Sequence, residues 1–268
     1  MTVSRRLAFG AAALPLALSA AREARAQTAA PSALDAAIKR GSLIVGTSLS
    51  SPPFGIVDAN MQPDGYDVGI AKLLARELGV KPDIQDIVAS NRIPSLTSGK
   101  VDIVISSFSI TAERAKAIAF TNCVYVDQQV MLGPKSVQIT GIEDLKGKII
   151  GVTRSTTNDI AVTRHAPEGT QIQRYDDDAA TNQAILAGQV QGMVTSAGGA
   201  YAIREHNPTL ETKFIVSEAP MGIGLRHGDA DLLHWLNTTL FMLWTNKEIQ
   251  PLQQKWMGGA NTDLPRYS

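Results

Sequence analysis

Two periods of apolar spacing alternate along the chain. "SLIVGT" (42–47) is a short apolar run closed by Gly–Thr, the pattern of a buried strand. "YDVGIAKLLARELG" (66–79) places Val68, Ala71, Ala75 and Leu78 at spacings of three and four, which predicts one apolar helical face stopped by Gly79. "NRIPSLTSG" (91–99) predicts a short helix with Pro94 in its first turn, and "KVDIVIS" (100–106) the next strand. This β–α–β–α–β order implies an α/β fold with a mostly parallel sheet flanked by helices.

The order then restarts. "RGSLIVGTS" (40–48) is echoed by "LKGKIIGVT" (145–153), and "SLTSGKVDIVISS" (95–107) by "AILAGQVQGMVTS" (184–196). Paired echoes in the same order predict two α/β lobes of similar plan. "DADLLHWLNTTLFMLW" (229–244) breaks the symmetry as a long amphipathic helix with Leu232, Leu236, Leu240 and Leu243 on one face. Extended segments at 126–134 and 218–226 separate the units. The expected lobe 1 is therefore 27–125 with a return segment 220–268, and the expected lobe 2 is 126–219.

The first residues are set aside as an expected export signal. "MTVSRR" is basic, the apolar run after it is only 15 residues long and contains Pro15, and "ARA" (24–26) has the small–x–small pattern of a cleavage site. Cleavage after Ala26 and a periplasmic location follow, against an uncleaved anchor as the alternative. Arg5 and Arg6 partly match a twin-arginine signal, so the route stays open between that and the general secretory one. Removing 1–26 takes out four arginines and one glutamate, which leaves 21 basic against 24 acidic residues. Such a chain has no electrostatic reason to bind nucleic acid or an anionic membrane. The lone Cys123 sits in apolar "IAFTNCVYV", reads as a small buried hydrophobe, and allows no internal disulfide.

Chemistry gathers at two turns. "SSFSIT" (106–111) leaves one strand and "TRSTTND" (153–159) leaves its counterpart. In an open parallel sheet, ligands collect at the carboxyl ends of strands, where helix starts offer unpaired N–H groups. Ser106, Ser107, Ser109, Thr156 and Thr157 add donors that rotate to fit, and Arg114 adds a planar fork suited to a carboxylate. Two such turns facing each other would hold a small anionic or zwitterionic ligand. Helix capping by Thr111, and by Ser155 or Thr156, is the competing explanation.

Six ordered blocks, among them "NRIPSLTSGKVDIVISSFSITAERAKAIAFT", "DLKGKIIGVTRSTT", "GIGLRHGDADLLHWLN" and "QQKWMGG", resemble the extracytoplasmic solute-binding proteins of polar amino-acid ABC transporters, family 3. The resemblance spans nearly the whole mature chain. It implies a two-lobed periplasmic-binding-protein-like fold with a ligand cleft between lobes. It also implies a small-molecule ligand, an amino acid or related carboxylate, a membrane permease as partner, a monomer, and no cofactor or metal. By the same resemblance Arg114 holds the ligand's α-carboxylate, Ser107 and Ser109 with Ser106 line the first turn, and Thr156 and Thr157 the second.

Departures from that pattern bear on selectivity. Ser48 stands where an acid is common, Ser51 where an aromatic residue stacks on the ligand, and Ser155 where glycine is usual. An aspartate that commonly binds the α-ammonium is replaced by Ser196, with no acid near it in sequence. Arg92 is a candidate second cation facing the ligand, and Arg154 another, each against a solvated position. "YDDDAAT" (175–181) reads as a solvated helix start, and the four histidines share no metal-ligand spacing. The expected function is capture of a small polar carboxylate for an ABC importer, without catalysis. The alternatives are a binder of a non-amino organic acid, a ligand-sensing domain, or a cyclohexadienyl-dehydratase-like enzyme on the same scaffold, which would need an acid in the cleft.

Overall fold

The alternating order appears in three dimensions as the spacing predicts, in a computed structural model that describes residues 32–257. The expected signal segment, 1–26, lies outside the described residues. The chain enters through α1 (Ala33–Arg40) and β1 (Ser42–Thr47) and makes a short antiparallel pair, β2 (Ile56–Val57) and β3 (Pro63–Asp64). It continues through α2 (Tyr66–Leu78), β4 (Lys81–Asp86), α3 (Arg92–Thr97), β5 (Ile103–Val104) and β6 (Ala119–Phe120). The second unit contains β7 (Tyr125–Pro134), β8 (Ile149–Thr153), α4 (Thr157–His165), β9 (Gln171–Tyr175), α5 (Asp178–Leu186), β10 (Gly192–Ser196), α6 (Ala197–His206) and β11 (Leu210–Met221). The return comprises β12 (Gly224–Leu225), α7 (Ala230–Thr245) and α8 (Gln250–Met257).

Each lobe has its own five-stranded sheet, in the orders β4-β1-β5-β12-β6 and β11-β7-β10-β8-β9. In lobe 1, β4, β1 and β5 run parallel and β12 is antiparallel to both its neighbours. In lobe 2, β10, β8 and β9 run parallel and the pair β7–β11 is antiparallel to them or to each other. Three parallel strands per sheet come from the β–α repeat. The antiparallel strands come from the two passages between lobes, where β7 leaves and β11 returns with Tyr125 opposite Met221.

Helices bury both faces of each sheet, which is why the central strands read as continuous apolar runs. On one face of lobe 1, Leu43, Val45 and Ile103 pack with Ile70 and Leu74 of α2 and with Leu232, Leu236, Leu240 and Leu243 of α7. The expected leucine face of α7 is thus its buried face, each side chain contributing on the order of 1.5–3 kcal/mol of apolar transfer. Ile87, Leu96, Val104, Phe108 and Ile118 fill the other face. Gly79 ends α2 in the left-handed region (φ 76 at Gly41, φ 72 here), its N–H returning to Ala75 and Arg76. Cys123 is buried, its Sγ bonded to the Tyr125 carbonyl.

Candidate functional site

Lobe 1 contributes the turn after β5. Ser107 adopts φ 42, a left-handed conformation that costs a non-glycine residue about 1–2 kcal/mol. It is held there by Asp67 of α2, whose Oδ2 accepts the Ser107 N–H at 2.6 Å. Ser106 Oγ accepts from the Ser48 N–H at 3.2 Å. Thr111 Oγ1 accepts the N–H of Arg114, as the capping alternative requires, at the start of a single 3-10 turn rather than a long helix. The guanidinium of Arg114 folds back to donate to the Ser109 carbonyl at 2.7 Å. Arg92 of α3 donates to the carbonyls of Ala89 and Ser106, and both arginines lie over the ring of Phe108 at 4.6 and 4.9 Å from its centre.

Lobe 2 presents three helix starts. Thr156 caps α4, accepting the Asp159 N–H at 3.2 Å. Asp177 caps α5 through the Ala180 N–H at 2.8 Å. Ser196 caps α6, its Oγ accepting the Gly199 N–H at 2.9 Å. Capping therefore explains Thr156 and Ser196 in part. It does not explain Thr157, whose hydroxyl meets Ser109 Oγ of lobe 1 at 2.8 Å and accepts from Gln129.

Among the described residues, four side-chain hydrogen bonds join the lobes across the cleft. They are Ser109–Thr157, Ser51 to the carboxylate of Asp178, and Arg92 and Arg114 to one atom, the carbonyl oxygen of Ser155. Ser155 holds φ 63, a left-handed region that suits glycine better than serine. Between the lobes lies a cleft lined by polar side chains of both lobes. Ser51, Arg92, Ser106, Ser107, Ser109, Thr156, Thr157 and Ser196 all line it. Arg114 stands just behind this lining, joined to it through Ser109 and Ser155. Arg154 turns away and pairs with Asp176 at 3.0 Å.

One expectation about acids is corrected and another extended. No acid lies near Ser196 in sequence, but Asp127, Asp177 and Asp178 line the same cleft. The "YDDDAAT" segment is not only a solvated helix start, because Asp178 faces the cleft and accepts from Thr153 at 2.5 Å and from Ser51. Asp127 arrives from the passage strand β7, far in sequence from Ser196, and lines the cleft beside it. Alternation on β7 was the available signal: Tyr125, Asp127 and Gln129 are buried while Val126 is exposed between them.

Burial sets the electrostatics. Asp127 is pushed up to about 7, chiefly by burial, with the Ala197 and Gln128 N–H groups opposing and the charge of Asp67 adding. Asp67 is likewise raised to about 7 by burial, against the Ser107 N–H and the charge of Arg92. Arg92 is depressed by burial and then by the like charge of Arg114, and Arg114 by burial; both stay charged at neutral pH. The site is a polar cleft with Arg92 on one lobe, carboxylates on the other, and hydroxyls between.

Residues 43–259 match the model of the bacterial extracellular solute-binding proteins, family 3. The chain belongs to this family. It is similar to the L-cystine-binding protein of Escherichia coli (strain K12), with 28% identity over 228 residues, 84% of this chain and 85% of that one. Among solved structures, a mutant of ArgBP from T. maritima superposes with a TM-score of 0.80 at 34% identity, covering 84% of this chain and 99% of that one. The ancestral amino acid-binding protein AncCDT-1, a precursor of cyclohexadienyl dehydratase, gives 0.79 at 33% identity over 84% of this chain and 99% of its own. These structures share the two-lobed α/β architecture, and membership makes the chain a solute-binding protein of the amino-acid ABC transporter type.

Proposed function

We propose that this chain captures a small α-amino acid between its lobes and hands it to the membrane permease of an ABC importer. The observation that supports the reading is the division of charge: Arg92 and Arg114 come from lobe 1, while Asp127, Asp177 and Asp178 come from lobe 2. A zwitterion fits such a cleft, its carboxylate toward the arginines and its ammonium toward the acids. Arg114, with Ser107, Ser109 and Thr157 close by, is the group assigned to the carboxylate. The named ligands of relatives, L-cystine and arginine, carry the same zwitterion.

In this reading the mature chain begins at Gln27 in the periplasm, acts as a monomer, and leaves its ligand chemically unchanged. A thermal-shift screen of amino acids, keto acids and dicarboxylates tests it. A ligand at 100 times its Kd stabilises the folded form by about 2.7 kcal/mol, which raises Tm by roughly 5–10 °C in a chain of this size. Amino acids should give that rise and be recovered intact by mass spectrometry. A rise only with dicarboxylates, or conversion of the bound compound, would overturn the reading.

A further inference from the structure

The acid that commonly meets the ligand's ammonium in this family is replaced here by Ser196, and the hydroxyl of Ser196 is spent on capping α6. The passage strand β7 fills the same corner. Its side chains at 125, 127 and 129 share one face. The first of them, Tyr125, donates from its hydroxyl to Ser107 Oγ at 3.4 Å, and the third, Gln129, donates to Thr157 Oγ1. Their two targets are the hydroxyl turns of opposite lobes. Asp127 lies between them, 7% exposed, on the wall of the cleft. The backbone N–H of Ala197, the residue after Ser196, is near enough to favour its charged form, which puts Asp127 beside the end of β10. Among the described residues, no lysine, arginine or histidine pairs with it. A buried carboxylate without a cation is costly to leave so.

We propose that Asp127 is the ammonium anchor of the cleft, a carboxylate supplied from the inter-lobe strand in place of the one absent at Ser196. This rests on the amino-acid reading above. A ligand whose carboxylate faces the arginine side and whose ammonium reaches β7 would bridge lobe 1 to the hinge. Selection for the amino group would then be built into the element that bends when the lobes close.

The test is calorimetry on the mature chain with L-glutamine, L-arginine and L-cysteine, each beside its 2-hydroxy analogue. Wild-type protein should prefer one amino acid at least tenfold over its analogue. Asp127→Asn, which keeps size and one acceptor oxygen, should reduce that preference below threefold while binding the 2-hydroxy acid about as the wild type does. Asp127→Ser should behave alike. Failure of every amino acid to bind wild-type protein would remove the amino-acid reading and this proposal together. A wild-type preference that Asp127→Asn retains would overturn the proposal alone, as would a wild-type cleft indifferent to the amino group. If neither variant melts cooperatively, proton release decides in wild-type protein. An ammonium beside Asp127 lowers its affinity for protons, so binding at pH 7 should release about half a proton, given a carboxyl that titrates at about 7. Titrations in two buffers of different ionisation enthalpy measure this. The other charged groups at hand are Asp177 and Asp178 of α5, Arg92 of α3, and Asp67 of α2 with Tyr125 on β7 behind it. No proton release would overturn the assignment.

Discussion

The guanidinium of Arg114 lies 3.0 Å from the carbonyl oxygen of Ser155, across the cleft from its own lobe. Two of its donors are thereby used, one here and one on Ser109. In the proposed reading Arg114 would act twice, joining the lobes through Ser155 and holding the ligand's carboxylate.

Truncating it should remove both effects. A charge-assisted bidentate contact sheltered from water contributes about 1.5–3 kcal/mol, so Arg114→Ala should weaken amino-acid binding at least about tenfold. Arg114→Lys should also lose affinity, because an ammonium cannot bond a carboxylate and the Ser155 carbonyl through one planar fork. Calorimetry on both variants checks this, and wild-type affinity in Arg114→Ala would remove Arg114 from the site.

Ser155 offers a prediction of opposite sign. Its φ of 63 is strained for serine, its side chain is exposed, and its contribution to closure is its backbone carbonyl. Ser155→Gly relieves the strain and keeps the carbonyl, at the cost of a more flexible unfolded chain. The net gain should be a few tenths to about 1 kcal/mol, read as a Tm higher by roughly 1–4 °C in calorimetric scans. A lower Tm would mean that the serine hydroxyl supports the turn.

Much of this was legible in the sequence, and the residues show why. The three-four spacing in α2, the stop at Gly79 and the leucine face of α7 are local signals with one packing solution each. The hydroxyl turns were legible because a strand end followed by a helix start has few other places to go. Asp127 and Asp178 were not, because their roles depend on which strand ends meet across a cleft formed by segments about 50 and 130 residues apart (β7 to α5, and Ser51 to Asp178). Arg154 and Ser196 show the converse. Arg154 lies beside the second turn and Ser196 at a position the family pattern marks, and each is drawn to a local partner, Asp176 and the α6 N–H group.

Gly65 tests how the first turn is held. It opens α2 at φ 127, and a Cβ there would sit 2.4 Å from the Phe54 carbonyl oxygen. Gly65→Ala must shift backbone, which should cost at least about 1–3 kcal/mol and lower Tm by roughly 3–10 °C. Because Asp67 of that first helical turn holds Ser107, the same substitution should weaken ligand binding. A stable Gly65→Ala protein with full affinity would show that α2 and the Ser107 turn are independent.

The last prediction concerns pH. Asp67 is fully enclosed, and burial, opposed by the Ser107 N–H and the charge of Arg92, raises its carboxyl from 3.8 to about 7. Asp127 is raised to about 7 for the same leading reason. Between about pH 4 and 7 the folded chain therefore binds protons that the unfolded chain has released. Stability from these groups is fully present below about pH 4 and is lost as pH rises through about 7, at up to roughly 1.4 kcal/mol per pH unit for each group. Carboxyls held below their usual range, such as Asp144 with its bonds from Thr140, act only as pH falls below about 4 and leave this window clear. Tm should therefore fall from pH 5 to pH 8 in wild-type protein. Asp67→Asn should flatten the slope, since its amide oxygen still accepts the Ser107 N–H but no longer titrates. Asp67→Asn with Asp127→Asn should flatten it further. Calorimetric scans across that range measure it, and a wild-type Tm that rises from pH 5 to 8, or a slope that Asp67→Asn leaves unchanged, would show that Asp67 is charged throughout and that Arg92 outweighs its burial.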